Sequence, residues 1–438
     1  MANFASNSAF SRVTAIASQR PVHAAFAWMH GNPKTIMDWQ AELVGIPAPP
    51  FGEQARAEML AALFAEAGLS RVETDAAGNV FGWLSAASLP PESTGPVVVL
   101  SAHLDTVFPA GTPLQPAIKG DRLEAPGACD NGAGLAGLLA IAHALIQSGV
   151  ELPAPLVLLG NVGEEGEGDL RGVRCLYSQS ALAGRIAAHI ILEGAGSNSA
   201  VTQALGSRRF RVTVTGPGGH SFTDAGATPN PIAALALALA QVAETPLPLK
   251  PLELDLLEEA PRTTLNLGTI QGGTSVNSIP ESAQATIDFR STSADQLLRL
   301  EAALQRAVEE AVERTNTRAK SFAASGRAPG GDPDRGLLAF QIEKIGDRPA
   351  AELPADAPLL EALRAVDRHL GLHTDLRLGS TDANIPLSLG IPALSMGAGG
   401  EGGGAHTRAE WYSARNREAG LRRALLLTLA MLEWAAEQ

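Results

Sequence analysis

The sequence predicts a mixed α/β protein, a largely parallel sheet flanked by helices, into which an α+β segment of split-βαβ character is inserted. Three observations lead there. Apolar runs bounded by turn residues alternate with helical stretches, and such runs read as strands buried on both faces. Run after run then finishes in acidic or imidazole residues: Val97–Leu100 leads into Ser101-Ala102-His103-Leu104-Asp105, Leu156–Leu159 into Glu164-Glu165, Ile190–Leu192 into Glu193, and Ala393–Met396 into a glycine-rich loop ending at His406. Strands alternating with helices imply parallel pairing, so these four ends should gather on one edge, where open α/β sheets bind ligands. Finally, the texture changes between about Ser207 and Ala350.

Met1–Arg20 reads as a helix, and Thr35–Val44 as an amphipathic segment running into the proline loop Gly45–Pro50. Gln54–Ala67 is a helix stopped by Gly68, and Val80–Leu84 a short strand. After the strand at Val97, Asp130 stands in a loop of small residues before Leu135–Ile146, an apolar helical stretch. The central segment offers strands at Arg209–Thr215, Thr263–Ile270, Gln284–Arg290 and Leu338–Ile345, with helices at Asn230–Ala243 and Ala294–Arg314 and a loop at Ala323–Arg335. That order suits a split βαβ layer. The expected organisation is a first catalytic segment over 1–206, an inserted domain over 207–350, and a second catalytic segment over 351–438.

Composition narrows the partners. The chain of 438 residues carries 46 acidic and 33 basic side chains, a net charge of −13, and no basic patch supplies phosphate contacts, which argues against nucleic acid. No run approaches the roughly twenty apolar residues of a bilayer span. Met1–Arg20 lacks a basic start followed by an apolar core, so no secretory signal is expected, and only Arg12 and Arg20 speak for a mitochondrial presequence. Two cysteines without CxxC spacing make no disulfide framework and suit a reduced, cytoplasmic protein.

The candidate metal ligands are His103, Asp130, Glu165, Glu193 and His406. Two imidazoles and three carboxylates suit two divalent ions, zinc foremost, with manganese or cobalt as alternatives. A dinuclear site needs a bridging carboxylate, and Asp130 is the lone acid on its loop. Asp105, two residues from His103 on the same side of a strand, is placed to orient that ring. Neighbouring side chains diverge, so one of Glu164 and Glu165 can bind metal while the other takes a proton from the attacking water and returns it to a leaving amine. With Glu167 and Asp169 nearby, Glu164-Glu165 could equally be a solvated acidic loop. Cys129 reads as a small packed residue, and His143, His189 and His369 as packing or surface groups.

These pieces, Ser101-Ala102-His103-Leu104-Asp105-Thr106, Asp130-Asn131-Gly132-Ala133-Gly134, Glu164-Glu165-Gly166, Glu193-Gly194 and the late His406, resemble those of the M20 metallopeptidases, a family of aminoacylases, carboxypeptidases, dipeptidases and tripeptidases. The resemblance covers essentially the whole chain and implies the di-metal exopeptidase fold. It implies one ion on His103 and Glu193, a second on Glu165 and His406, Asp130 between them, Glu164 as general base and Asp105 as orienting group. It also implies that the inserted segment is a lid and dimerisation domain, in which His220 of Gly218-Gly219-His220-Ser221 reaches the partner subunit's site and stabilises the oxyanion. Without the family, His220 is a loop histidine. Asn277 and Arg290 look like the family's grip on a substrate carboxylate, Arg290 being otherwise an internal partner of Asp288. Asp382 borders the family's cleft, or caps a loop. The chain departs from the family where many members carry a Gly-Arg-Gly-like run before the bridging Asp; here it is Ala125-Pro126-Gly127-Ala128-Cys129.

The resulting expectation is a homodimeric two-metal hydrolase of a small peptide or N-acyl amino acid. In the family, Glu at the position of Glu193 tends to accompany acylase and carboxypeptidase activity, and so a substrate with a free carboxylate. An aminopeptidase or tripeptidase of the same fold is the nearer alternative; a non-catalytic binding or scaffold protein is the alternative of another class, and such relatives usually lose ligands that are all present here.

Overall fold

The computed structural model describes residues 2–84, 95–247, 261–325 and 336–438, with side chains from Ser8 onward. The chain forms two compact units, one of Met1–Ala204 with Glu352–Gln438, the other of Leu205–Ala351.

Four strands at the centre of the first unit carry the candidate site: β1 (Val97–His103), β2 (Leu156–Asn161), β3 (Ile186–Leu192) and β4 (Ala393–Met396). They lie in the order β2-β1-β3-β4 and every neighbouring pair is parallel. Every residue of β1, β2 and β4 is buried, which is why these strands are mostly apolar instead of alternating. On one face Val97 and Val99 pack with Val157, Leu159, Leu176 and Leu182. Alternation turns Val98 and Leu100 to the other face, where helix α1 (Gly132–Ser148) and the C-terminal helix Arg417–Ala436 lie on β1. Outside this parallel core Val80–Leu84 pairs antiparallel with β2, and Ser199–Ala204 antiparallel with β4.

The elements expected from periodicity form with ends displaced by a few residues, except that the helix expected over Ala294–Arg314 runs on to Ala324; Leu135–Ile146, for instance, is extended to Gly132–Ser148 because Asn131 caps it and Gly149, at φ +67, ends it. Short strands give no such pattern. Ser199–Ala204 and Asp375–Gly379 fall in this class, as do Ala117–Lys119, Arg122–Glu124, Glu401–Gly403 and Trp411–Ser413 of a separate four-stranded sheet. The loop expected at Ala323–Arg335 begins after the helix Ala294–Ala324 and from residue 326 to 335 lies outside the described residues.

The second unit has strand order Thr263–Gly272, Ser282–Ser291, Gly206–Thr215, Ala339–Arg348, with every neighbouring pair antiparallel. Helices Pro231–Ala243 and Ala294–Ala324 bury one face of it over Phe210, Val212, Ala285, Ile287 and Phe289. Inward residues alternate with outward ones along Ser282–Ser291. Among the described residues no helix is long and apolar enough to cross a membrane.

The start of α1 is held against the end of β3. Asn131 Oδ1 accepts the N–H of Gly134 and of Gly194 (both 3.1 Å), while its Nδ2 donates to the Leu192 carbonyl at 2.9 Å. A Cβ on Gly134 would lie 2.2 Å from Asn131 Oδ1 and 2.6 Å from the Leu192 oxygen. Gly134→Ala should therefore lower stability by about 1–3 kcal/mol, as overpacking does, although alanine favours a helix; a thermal melt no lower than wild type would refute the close approach.

Candidate metal centre

Because β1 and β2 are parallel and His103 stands opposite Asn161, the chain leaving β2 delivers Glu164 and Glu165 to the edge where His103 ends β1. Glu193 follows β3 directly, and its N–H donates to the Met396 carbonyl at the end of β4 (2.8 Å). His406 arrives by a hairpin: Glu401–Gly403 pairs with Trp411–Ser413, which pairs in turn with Arg122–Glu124, the strand just ahead of Asp130. This small sheet brings Asp130 and His406 together.

All five proposed ligands converge. His103 Nε2 lies 3.1 Å from Asp130 Oδ1 and 3.2 Å from Glu193 Oε1. His406 Nε2 lies 3.0 Å from Asp130 Oδ2 and 3.1 Å from Glu165 Oε1. Two triads with atoms mutually within 4.8 Å result, His103-Asp130-Glu193 and Asp130-Glu165-His406, and Asp130 belongs to both, one oxygen toward each imidazole. Glu164 also lies within 4.8 Å of His103 and Glu165.

Asp105 is fully buried. Its carboxylate accepts the backbone N–H of Glu164 (3.0 Å) and of Glu165 (2.7 Å). His103 Nδ1 is nearer the Asp105 main-chain oxygen, at 3.0 Å, than its carboxylate, at 3.6 Å. Asp105 thus holds both the imidazole and the Glu164-Glu165 loop.

The electrostatics of the cluster call for positive charge. Burial pushes the Glu193 carboxyl up to about 7 against the pull of His103, and burial raises Glu165 as well. His406 is drawn up to about 9 by its hydrogen bond to Asp130, with Glu165 adding to it. At His103 burial works against the proton but Glu193, Asp105 and Asp130 outweigh it, so its pKa stands well above an ordinary imidazole. Asp130 is desolvated too, yet bonds to His103 and His406 hold it below the usual carboxylate range. Glu193 Oε2 is buried with no hydrogen-bond partner among the described residues. Crowded carboxylates, imidazoles that retain protons and an orphaned carboxylate oxygen all fit divalent cations bound by nitrogen and oxygen, which would take the protons' place.

The remaining candidates are not members of these triads. Asp382, expected at the cleft wall, is completely buried, accepts a hydrogen bond from Asn161 Nδ2 (2.7 Å), and its charge adds to the rise of the Glu193 carboxyl. His220, Asn277 and Arg290 belong to the second unit. His220 is exposed, and its Nδ1 accepts the N–H of Phe222 (3.2 Å) and Thr223 (3.4 Å). Asn277 is exposed, and its carbonyl accepts from Ser221. Arg290 Nε donates to Asp288 Oδ2 at 2.7 Å, the internal pair its sequence left open. Cys129 is buried, its thiol pushed up to about 12 by burial. His189 is buried between Tyr177 and Ser101 and driven down to about 3 by desolvation.

Two site residues escape sequence reasoning. Asn131 ties the start of α1 to β3, and Glu410 accepts three N–H groups of the Asp130 loop. Asn131 directly follows a ligand and precedes a helix, which is a capping signal; an acid four residues past His406 carries none.

The profile of peptidase family M20/M25/M40 matches residues 99–430. No curated protein matches the chain. Among solved structures, the aminopeptidase PepT of Bacillus cereus is similar at 19% identity, covering 91% of this chain and 99% of that one, TM-score 0.66. A tripeptidase of Staphylococcus aureus is similar at 19% identity, covering 93% and 99%, TM-score 0.67. The YXEP protein of Bacillus subtilis, a dinuclear metal binding peptidase of family M20, is similar at 16% identity, covering 92% and 98%, TM-score 0.56. At such identities these structures establish the fold alone.

Ligation requires deprotonated carboxylates and imidazoles. Glu193 takes its proton as pH falls through about 7, and His406 holds one up to about 9. Zinc affinity from chelator competition should accordingly rise with pH, roughly tenfold per unit between pH 7 and 9 and more steeply below 7; a flat profile would exclude these two as ligands.

Proposed function

The chain belongs to peptidase family M20/M25/M40, and on that premise we propose that this hydrolase cleaves an amide bond in a small peptide or N-acyl amino acid, using two divalent cations and Glu164 as general base. The observation that carries the reading is Asp130, which turns one oxygen to His103 and the other to His406. His103, Glu193 and Asp130 would hold one cation, and Asp130, Glu165 and His406 the other. Two such cations, zinc with cobalt or manganese as alternatives, would supply Lewis acidity at the scissile carbonyl and acidify water between them.

Glu164 is buried beside His103 and Glu165 with its N–H fixed by Asp105. From there its carboxylate takes the proton of the attacking water and returns it to the departing amine. The loop geometry at His220 supports an oxyanion role: with Nδ1 accepting two N–H groups, the proton of a neutral ring sits on Nε2, which becomes a donor. We assign that donor to the partner subunit's substrate in a homodimer formed through the second unit, which acts as the lid. Glu193 favours substrates bearing a free carboxylate, for which Asn277 is the exposed contact, and Arg290 would have to leave Asp288 to join it. Two buried free cysteines suit a reducing, cytoplasmic setting.

The similar aminopeptidase and tripeptidase structures favour a second reading, in which the substrate's free amine is what the site selects. A panel of dipeptides, tripeptides and N-acyl amino acids, assayed with zinc, cobalt or manganese after chelation, separates the two. Blocking the carboxylate should abolish turnover while blocking the amine is tolerated; the reverse pattern establishes the second reading. A fully active monomer would remove the partner contribution of His220. Glu164→Ala should keep two ions per chain while kcat drops about 10²- to 10⁴-fold; a variant that sheds both ions would make Glu164 a ligand instead of a base.

A further inference from the structure

Glu410 ends the loop that carries His406 and precedes the strand Trp411–Ser413. It is 1% exposed. Its Oε2 accepts the N–H of Gly127 at 2.7 Å, and its Oε1 accepts the N–H of Cys129 at 2.8 Å and of Asp130 at 2.7 Å. The Glu410 carbonyl takes the N–H of Ala125 as well (3.2 Å). One buried acid thus satisfies three donors of the loop that presents Asp130, donors that would otherwise be buried unpaired. Bonds from N–H groups to an ionised carboxylate are short and strong, so the loop has little freedom to shift.

The clamp joins two segments that are far apart in sequence. Glu410 is four residues from His406, and the group it holds is Asp130, which faces both imidazoles. We propose that Glu410 is a positioning residue that sets Asp130 between His103 and His406, and through that one carboxylate sets the affinity for both cations together. This rests on the two-metal reading above. A ligand such as Glu193 touches one triad only, so its loss weakens one cation. A shift of the Asp130 loop weakens both.

In Glu410→Gln the amide retains one acceptor but turns an NH₂ toward a backbone N–H, while Glu410→Asp keeps the charge on a shorter stem. The apo chains are titrated with Co²⁺ and followed by calorimetry and by the visible absorption of the bound ion, with Glu193→Gln as the single-ion reference and far-UV circular dichroism as the check on folding. The expected result for E410Q is a folded chain whose two Co²⁺ affinities fall in parallel by about 10- to 100-fold, the range for residues that orient ligands, with an altered cobalt spectrum and partial recovery in E410D. An E410Q chain that binds two ions as wild type does, or that loses affinity for one alone, overturns the inference. So does an unfolded E410Q beside a folded E410D with wild-type metal binding, which would make Glu410 a fold determinant only. A wild-type chain that binds fewer than two ions overturns the two-metal reading itself, and the shared effect with it.

Discussion

One carboxylate between two imidazoles is the constraint on which the first unit turns. For Asp130 to face His103 with one oxygen and His406 with the other, a sheet edge, a loop and a hairpin must meet within a few ångströms. The parallel alignment of β1, β2, β3 and β4 provides the edge. The polar groups there come from strand ends and the loops beyond them, while the strands remain mostly apolar and close-packed.

Precision at that edge comes from acceptors that bind main chain. Asp105 takes the N–H groups of Glu164 and Glu165, Glu410 those of the Asp130 loop, and Asn131 those of Gly134 and Gly194. Three loops that would otherwise be pliable are each pinned at the residues that matter. Close packing adds to this, since Gly134 leaves no room for a methyl group against Leu192. Rigid support for charged ligands is what allows like charges to be held close without the loops relaxing apart.

The parallel core is legible in the sequence because burial on both faces leaves a run such as Val97–Leu100 without polar interruption, and because a polar group at its end is conspicuous. His103 and Glu193 stand out for that reason. His406 is harder, since nine residues separate it from Met396 and it stands between the two strands of a hairpin, which are too short to show any period. Glu410 and the fully buried position of Asp382 are not legible, because a single acid in a loop looks alike whether it binds backbone, a side chain or water. Nor does alternation along Ser282–Ser291 disclose that Arg290 turns to Asp288, for that depends on which neighbour wins the guanidinium.

The proposed ligands lie on both sides of Leu205–Ala351 in the chain, with His406 alone contributed by the returning segment. During synthesis on the ribosome His103, Asp130, Glu165 and Glu193 therefore emerge well before His406. The residues of the triad with His103 are all made while more than two hundred residues remain to be translated, but the Met396 carbonyl that takes the N–H of Glu193 and the Glu410 carboxylate that holds the Asp130 loop come only with the returning segment. Both triads thus wait for that segment, and a polypeptide terminated before it lacks the supports of either one.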